Sequence, residues 1–343
     1  MSFRRALAMS AAALIALTTA ACGADDGEEP LSDDALVIYS GRNENLVKPL
    51  LERLEEKTGI DVQVRYGGSS EMAAQLLEEG EGTKADLFFS QDAGALGAVG
   101  RAGRLETLPG ATLGQVREGF ADENAHWVAT SARARVIAYD PAQAPEVTEM
   151  TTVDAVLDPA YKGKIGIAPT NASFQSFVTA LRVTKGEDGA RQWLEKLQAN
   201  EPKTYDNNLL VLDAVESGQV ALGLVNHYYW YERVAEKGAA GVKARIHFLN
   251  ADDPGALVNV AGAGVIAGSP QKEAALTAID FLLSPEGQQY FADETAEYPV
   301  VEGVSSTRHD LVPLDQLTRA SIDLNQLDSL DATLALLDEV GLT

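Results

Sequence analysis

The chain has 343 residues, with 51 acidic and 27 basic side chains and a formal charge of −24. This acidity excludes nucleic acid as the main partner, because phosphate recognition needs a surplus of Lys and Arg, and an anionic membrane surface repels the chain as well. The length suggests about two domains, the 45% hydrophobic share is enough for real cores, and a single Cys excludes internal disulfides and multi-thiolate zinc sites.

Residues 1–21 read as an export signal. Arg4 and Arg5 form its positive start, an apolar run over 6–17 follows, and Thr19-Ala20-Ala21 places small residues before Cys22. The apolar run is shorter than the ~20 residues a spanning helix needs. The only Cys directly after small residues resembles a lipobox, so Cys22 is the expected lipidation site. Cleavage there takes two arginine charges off −24 and leaves −26. Residues 22–34, acidic and polar with Pro30, read as a lipid-anchored tether.

The body alternates strands and helices. Residues 36–39 predict a buried strand, and Leu46, Val47, Leu50, Leu51 and Leu54 predict a helix closed by Gly59, with Pro49 in its first turn. Strands follow at 60–66 and 86–89, with helices at 72–79 and 93–102. This β-α-β-α-β-α series is the mark of a parallel sheet with helices on both faces. A second series has strands at 136–139, 164–168, 220–225 and 258–267, and helices at 174–183, 209–216, 229–237 and 273–283.

Polar clusters at 40–43, 67–70, 90–92, 170–173 and 226–229 each follow a strand and precede a helix. In open α/β sheets such turns lie at the carboxyl edge, where ligands bind and helix N-termini favour anions. Two lobes facing each other would place all five around one cleft. No nucleophile elbow or P-loop is present, and the G-x-G-x-x-A match at 262–267 runs into Gly268-Ser269-Pro270 instead of opening a helix. The four His (His126, His227, His247 and His309) form no metal spacing and read as surface or capping residues.

The cluster Asn226-His227-Tyr228-Tyr229-Trp230-Tyr231-Glu232 supports two readings. In one, a helix start packs its aromatics into the core. In the other, Tyr228 and Tyr229 bind a hard cation as phenolates, since a phenol with pKa ~10 ionises only beside strong positive charge.

From about Leu36 to the C-terminus the chain resembles the periplasmic ferric-ion-binding protein family, receptors of bacterial iron(III) ABC importers. The resemblance rests on Val37-Ile-Tyr-Ser-Gly41, Ala85-Asp-Leu-Phe-Phe-Ser90, Ser131-Ala-Arg-Ala-Arg-Val136, Tyr161-Lys-Gly-Lys-Ile-Gly166, residues 226–232, Asp253-Pro-Gly-Ala-Leu257 and Glu297-Tyr-Pro-Val300. It implies an α/β, two-lobe periplasmic-binding-protein-like fold (class II solute-binding protein) with the ligand cleft between the lobes. The implied lobes are 35–116 plus 259–312 and 117–258 plus 313–343. It implies no enzyme activity, ferric iron held by Tyr228 and Tyr229, and a synergistic anion such as phosphate or carbonate at Asn171, Ala172 and Ser173, assisted by Asn208 and Asn226. These last residues also suit helix capping. Where members carry His and Glu ligands in the first lobe, this chain has the neutral amides Asn43 and Gln91, and Ser173 stands where others place a third Tyr. Asp92, beside Gln91, reads either as a donor or as a helix cap. The implied partners are an ABC permease with its ATPase, for a monomeric, extracytoplasmic receptor anchored through Cys22. The alternative is the same fold binding a ferric chelate, thiamine or another phosphate compound, or a polyamine.

Overall fold

The computed structural model describes residues 32, 34–317 and 323–343. The leader, Cys22 and most of the tether lie outside this range. Among the described residues no helix is long and apolar enough to cross a membrane.

The first series forms β1 (Leu36–Ser40), α1 (Glu44–Thr58), β2 (Val62–Tyr66), α2 (Ser69–Glu79), β3 (Leu87–Ser90) and α3 (Ala93–Arg101). β1 lies between β2 and β3 and is parallel to both. α1 begins where the Asn43 side chain accepts the Asn45 N–H, and it ends at Gly59 with φ 72. It buries Val47, Leu50, Leu51 and Leu54. Pro49 therefore falls in the second turn and not the first, because the Asn43 cap sets the start. The cost is one missing backbone donor near the helix entry.

After the short α4 (Gly110–Leu113) comes β4 (Val128–Tyr139), all twelve residues buried. The sequence predicts only its last third. Residues 128–135 mix small and charged side chains, so they lack the apolar run that marks a buried strand. Next come β5 (Ile165–Ile167), α5 (Ala172–Ala199), β6 (Lys203–Thr204), α6 (Asn208–Glu216), β7 (Leu222–Asn226), α7 (Tyr228–Lys237), β8 (Arg245–His247) and β9 (Val258–Val265). α5 runs well past the predicted end at 183 and kinks at Gly186, whose φ of 71 suits only glycine at low cost. The chain closes with α8 (Lys272–Leu283), α9 (Pro285–Glu294), α10 (Leu314–Leu317) and α11 (Leu330–Glu339).

The strands run in the order β2-β1-β3-β9-β4-β7-β5-β6, with β8 paired to β4. The first flank is parallel, as predicted, and β5 pairs parallel with β6 and β7 in the second, but β9 and β4 join the flanks through antiparallel pairs. β4 pairs with β9 through residues 128–134 and with β7 through residues 135–139, so one strand serves both halves. The hydrophobic cores divide at the same place. Val128, Ala132 and Ala134 pack with β1–β3, while Val136, Ile137 and Ala138 pack with β5–β7. Phe120 and Trp127, as well as Leu314, Leu317, Leu324 and Leu327, belong to the first core. The sequence division assigns these stretches to the second lobe. In the structure they follow the first, because apolar side chains on the entry to β4 and after α9 have that core as their nearest cover. Leu336 and Leu337 of α11 do join the second core. The result is a two-lobe α/β fold in which β4 runs from one lobe into the other.

Candidate functional site

The loop after β1, the turn before α2, the residue after β3, the turns before α5 and α6 and the first turn of α7 converge on one cavity of about 590 Å³. Its wall includes Asn43, Glu44, Ser69, Gln91, Asn171, Ala172, Asn207 and Tyr229. All five polar clusters read from the sequence reach it. The turn before α6 is an addition. Gly41 is required here: a Cβ on it would lie 2.0 Å from Ser69 Oγ.

Tyr228 and Tyr229 are the first two residues of α7, and both are buried. Their ring centroids are 4.1 Å apart and the planes tilt by 33°. Burial raises the pKa of both phenols, Tyr228 well above its ordinary value, and the Tyr229 phenol further opposes ionisation of Tyr228. Without a cation both are therefore neutral at neutral pH. The packing reading applies to their neighbours: Trp230 donates from Nε1 to the Ala244 carbonyl at 2.8 Å, and Tyr231 from its hydroxyl to the Asp310 carbonyl at 3.0 Å.

The anion turn is a network of neutral donors. Asn171 caps α5, and its Oδ1 accepts from the Ser173 N–H (3.0 Å), Ser173 Oγ (2.7 Å) and Asn208 Nδ2 (3.1 Å). Asn208 Nδ2 also donates to Ser173 Oγ at 3.0 Å. Gln91 Nε2 reaches the same Asn171 oxygen at 3.5 Å, across from the other lobe. The cap of α6 is Asn207, not Asn208, and Asn226 ends β7 without capping α7. Asn208 Oδ1 and Asn226 Nδ2 are buried without a partner. An unmatched buried polar atom costs about 1–3 kcal/mol, so these two amides are candidates for a polar ligand to satisfy. Asp92 takes the capping alternative: its Oδ1 accepts from the Ala95 N–H at 3.0 Å and from Ser176 Oγ at 3.2 Å.

Three buried arginines surround the tyrosines, and none of them is among the site residues expected from the sequence. Arg135 donates to the Ser173 carbonyl at 2.9 Å and the Leu224 carbonyl at 3.0 Å, which ties the anion turn to β7. Burial lowers its pKa to about 9. Arg42 pairs with Glu297. Arg133 has no partner for any of its three guanidinium nitrogens. It acts over distance on Glu297, Arg42, Tyr228 and Asp92, and its positive charge favours the Tyr228 phenolate. The available signal was the Arg-Ala-Arg alternation, which puts two cations on one face of a strand.

His227 is fully buried, so it is neither a surface nor a capping residue. Its Nδ1 accepts the Ala134 N–H at 3.3 Å, which leaves the proton on Nε2 to donate to the Ala296 carbonyl at 2.9 Å. Burial lowers its pKa to about 4. The neutral ring thus joins β4 to the segment after α9 immediately beside Tyr228, at Ala296, whose left-handed conformation (φ 52) costs a non-glycine residue about 1 kcal/mol. Among the described residues no group of three or more His, Cys, Asp or Glu could hold a metal. Any cation site here depends on phenol oxygen.

Residues 82–320 match the model of a family of bacterial extracellular solute-binding proteins. The chain is 34% identical to the major ferric iron-binding protein of Neisseria meningitidis serogroup B over 337 residues, 98% of each chain. It is 33% identical to the Fe(3+)-binding periplasmic protein of Serratia marcescens, covering 91% of each. The structure superposes on iron-bound HitA of Pseudomonas aeruginosa with a TM-score of 0.84 at 34% identity, covering 90% of this chain and 99% of that one. It also matches the Trichodesmium protein IdiA (FutA) in complex with iron and citrate, with a TM-score of 0.72 at 28% identity and 90% and 100% coverage. The chain therefore belongs to the bacterial extracellular solute-binding proteins, a family of binding proteins and not of enzymes, and within it to the periplasmic ferric-ion-binding group.

Proposed function

We propose that this protein captures ferric iron outside the cytoplasm and delivers it to an ABC permease driven by its ATPase. The observation that carries this reading is the pair of adjacent buried phenols at the start of α7, beside a cleft lined from both lobes. Two phenolates form a hard, anionic donor pair suited to a trivalent cation. The α7 N-terminus and Arg133 add positive potential that favours their ionisation.

An anion completes the shell. Asn171, Ala172 and Ser173 at the start of α5, Asn208 at the start of α6 and Asn226 at the end of β7 offer neutral donors near the buried Arg133 and Arg135, a setting that stabilises phosphate or carbonate. Asn43 and Gln91 face the cavity from the first lobe as hydrogen-bonding groups. The cavity's 590 Å³ far exceeds a bare ion, and this favours a second reading in which the cargo is a ferric chelate. Binding closes the lobes only if the ligand contacts both better when they are closed. Cys22 carries the lipid anchor in this reading, and the working form is a monomer.

The test is titration of the purified protein with ferric iron, in separate runs with phosphate, carbonate and citrate. Tyrosinate bound to ferric iron absorbs visible light, so a coloured complex is expected. A colourless protein that binds thiamine phosphate or a polyamine instead would overturn the reading. Comparing the anions separates a bridged ion from a chelate.

A further inference from the structure

We propose that the Glu232 carboxylate is a third protein donor to the cation held by Tyr228 and Tyr229. This rests on the ferric reading above and adds a ligand to it. Glu232 lies four residues after Tyr228 and three after Tyr229, all within α7. On a helix those spacings put the three side chains on neighbouring rows of one face, with Cβ atoms about 5–6 Å apart. Helical side chains also lean toward the N-terminus. A glutamate one turn into α7 thus leans toward the turn that carries both tyrosines, close enough for its charge to act on Tyr229.

Its surroundings support the same role. Glu232 is half-buried, yet among the described residues its carboxylate makes no hydrogen bond and no ion pair. The neighbouring Arg233 is committed elsewhere, to Asp213 at 2.7 Å. The buried Glu297 and then Glu236 repel Glu232, Arg233 and more weakly Arg42 attract it over distance, and Glu232 in turn opposes ionisation of Tyr229. Desolvation and this repulsion push its carboxyl up to about 8. A half-buried acid without a partner is an unfavourable arrangement on its own. A trivalent cation between the phenol oxygens would remove the penalty, because it attracts all three groups at once.

Other acids near the cleft lie on other elements, among them Asp206 in the cavity wall and Asp92, whose Oδ2 is buried without a partner. Glu44 pairs with Lys48 at 3.3 Å, and Glu71 accepts the Gly68 N–H at 3.2 Å as part of the α2 cap. Asp92 caps α3. Glu232 is distinguished from these by its register on the tyrosine helix itself. It also offers the anionic oxygen that the neutral Asn43 and Gln91 lack.

The experiment compares the parent protein with Glu232→Gln, which keeps the shape and removes the anionic donor. Both are titrated with ferric iron supplied as ferric citrate, with the visible spectrum and the apparent affinity recorded. Loss of a direct donor is expected to weaken affinity by at least the roughly 10- to 100-fold that losing an outer-shell partner of a metal ligand costs. It should also move the charge-transfer band to longer wavelength, since the iron becomes more electron-poor. Glu232→Asp, one methylene short, should give the same band shift. An unchanged band and affinity in Glu232→Gln, with the parent coloured, would overturn the Glu232 assignment and leave the phenolate reading intact. An affinity loss without a band shift would overturn it too, because that is the signature of distant charge alone. A parent that gives no coloured complex would instead sink the ferric reading. Thermal melting of apo Glu232→Gln at or above the parent value excludes misfolding as the cause.

Discussion

The guanidinium of Arg42 donates to the carboxylate of Glu297 at 2.8 Å, and both side chains are almost completely buried. The pair joins the loop after β1 to the segment after α9, and Ser131 Oγ on β4 adds a hydrogen bond to the same carboxylate oxygen at 2.8 Å. Burial penalises the Glu297 carboxylate, but Arg42 and Arg133 together hold it below its usual range. Breaking such a pair from one side leaves a buried charge uncompensated, a loss of about 3–5 kcal/mol. Arg42→Met and Glu297→Gln are each expected to lower stability by that order, read as a fall in the urea midpoint. The Arg42→Met/Glu297→Leu double variant should recover part of the loss. A single variant that melts like the parent would count against the pair as a structural tie.

Ser173 and Asn208 meet at 3.0 Å and set the geometry of the anion turn. Ser173→Ala removes one donor and one acceptor there without adding bulk. Asn208→Asp replaces a donor amide with a negative oxygen facing the place assigned to the anion. Ferric affinity in phosphate should fall in both variants, and more in Asn208→Asp. In buffer without phosphate or carbonate the difference from the parent should shrink. Equal losses in both buffers would mean that these residues act on the protein frame and not on an anion.

Much of this frame is legible in the sequence. Apolar spacing locates α1, α8 and β1 to within a residue or two, because each buries a single regular face or run. β4 is hidden because Thr130, Ser131, Arg133 and Arg135 interrupt any apolar pattern. Those residues are buried by the contacts that β4 makes with both halves of the molecule, and a local window cannot see such contacts. The tyrosine pair and the Asn171 turn are visible as polar or aromatic clusters after strands. The arginines around them are not, since a lone Arg in a sequence usually marks solvent-facing charge. Capping chemistry was legible as a residue type but not as a position. Asn207 and Asn208 are chemically equal, and only backbone geometry decides that Asn207 caps while Asn208 turns inward.

Glu232 makes the apo site pH-sensitive. An acid whose folded-state pKa is raised destabilises the fold wherever it is ionised. The penalty is absent below the unfolded value near 4.5, grows as pH rises, and is complete above about 8. A tenfold change in proton affinity corresponds to about 1.4 kcal/mol, so the full penalty is at most a few kcal/mol, and partial solvation of the carboxylate reduces it. Apo Glu232→Gln should therefore melt above the parent at pH 8.5 and together with it near pH 4.5. Identical melting curves at both pH values would show that the carboxylate is better solvated than its surroundings suggest.

Tyr228 and Tyr229 carry the central prediction. If both phenolates bind the cation, neither is expendable, because Asn43, Gln91 and Ser173 are neutral and weak donors. Tyr228→Phe and Tyr229→Phe should each lose the visible band and most ferric affinity. Both should fold nearly as the parent does, since Phe keeps the ring and its packing. A purely structural pair would give the opposite pattern, with affinity intact and stability reduced. Protons provide an independent check. Both phenols are protonated in the apo protein at neutral pH, for burial raises their pKa values. Binding must then expel about two protons from them, and affinity should rise steeply with pH and fail on acidification. Measuring proton release on ferric loading in weakly buffered solution tests this directly. The count should drop in either Phe variant, and an unchanged count would remove that tyrosine from the coordination shell.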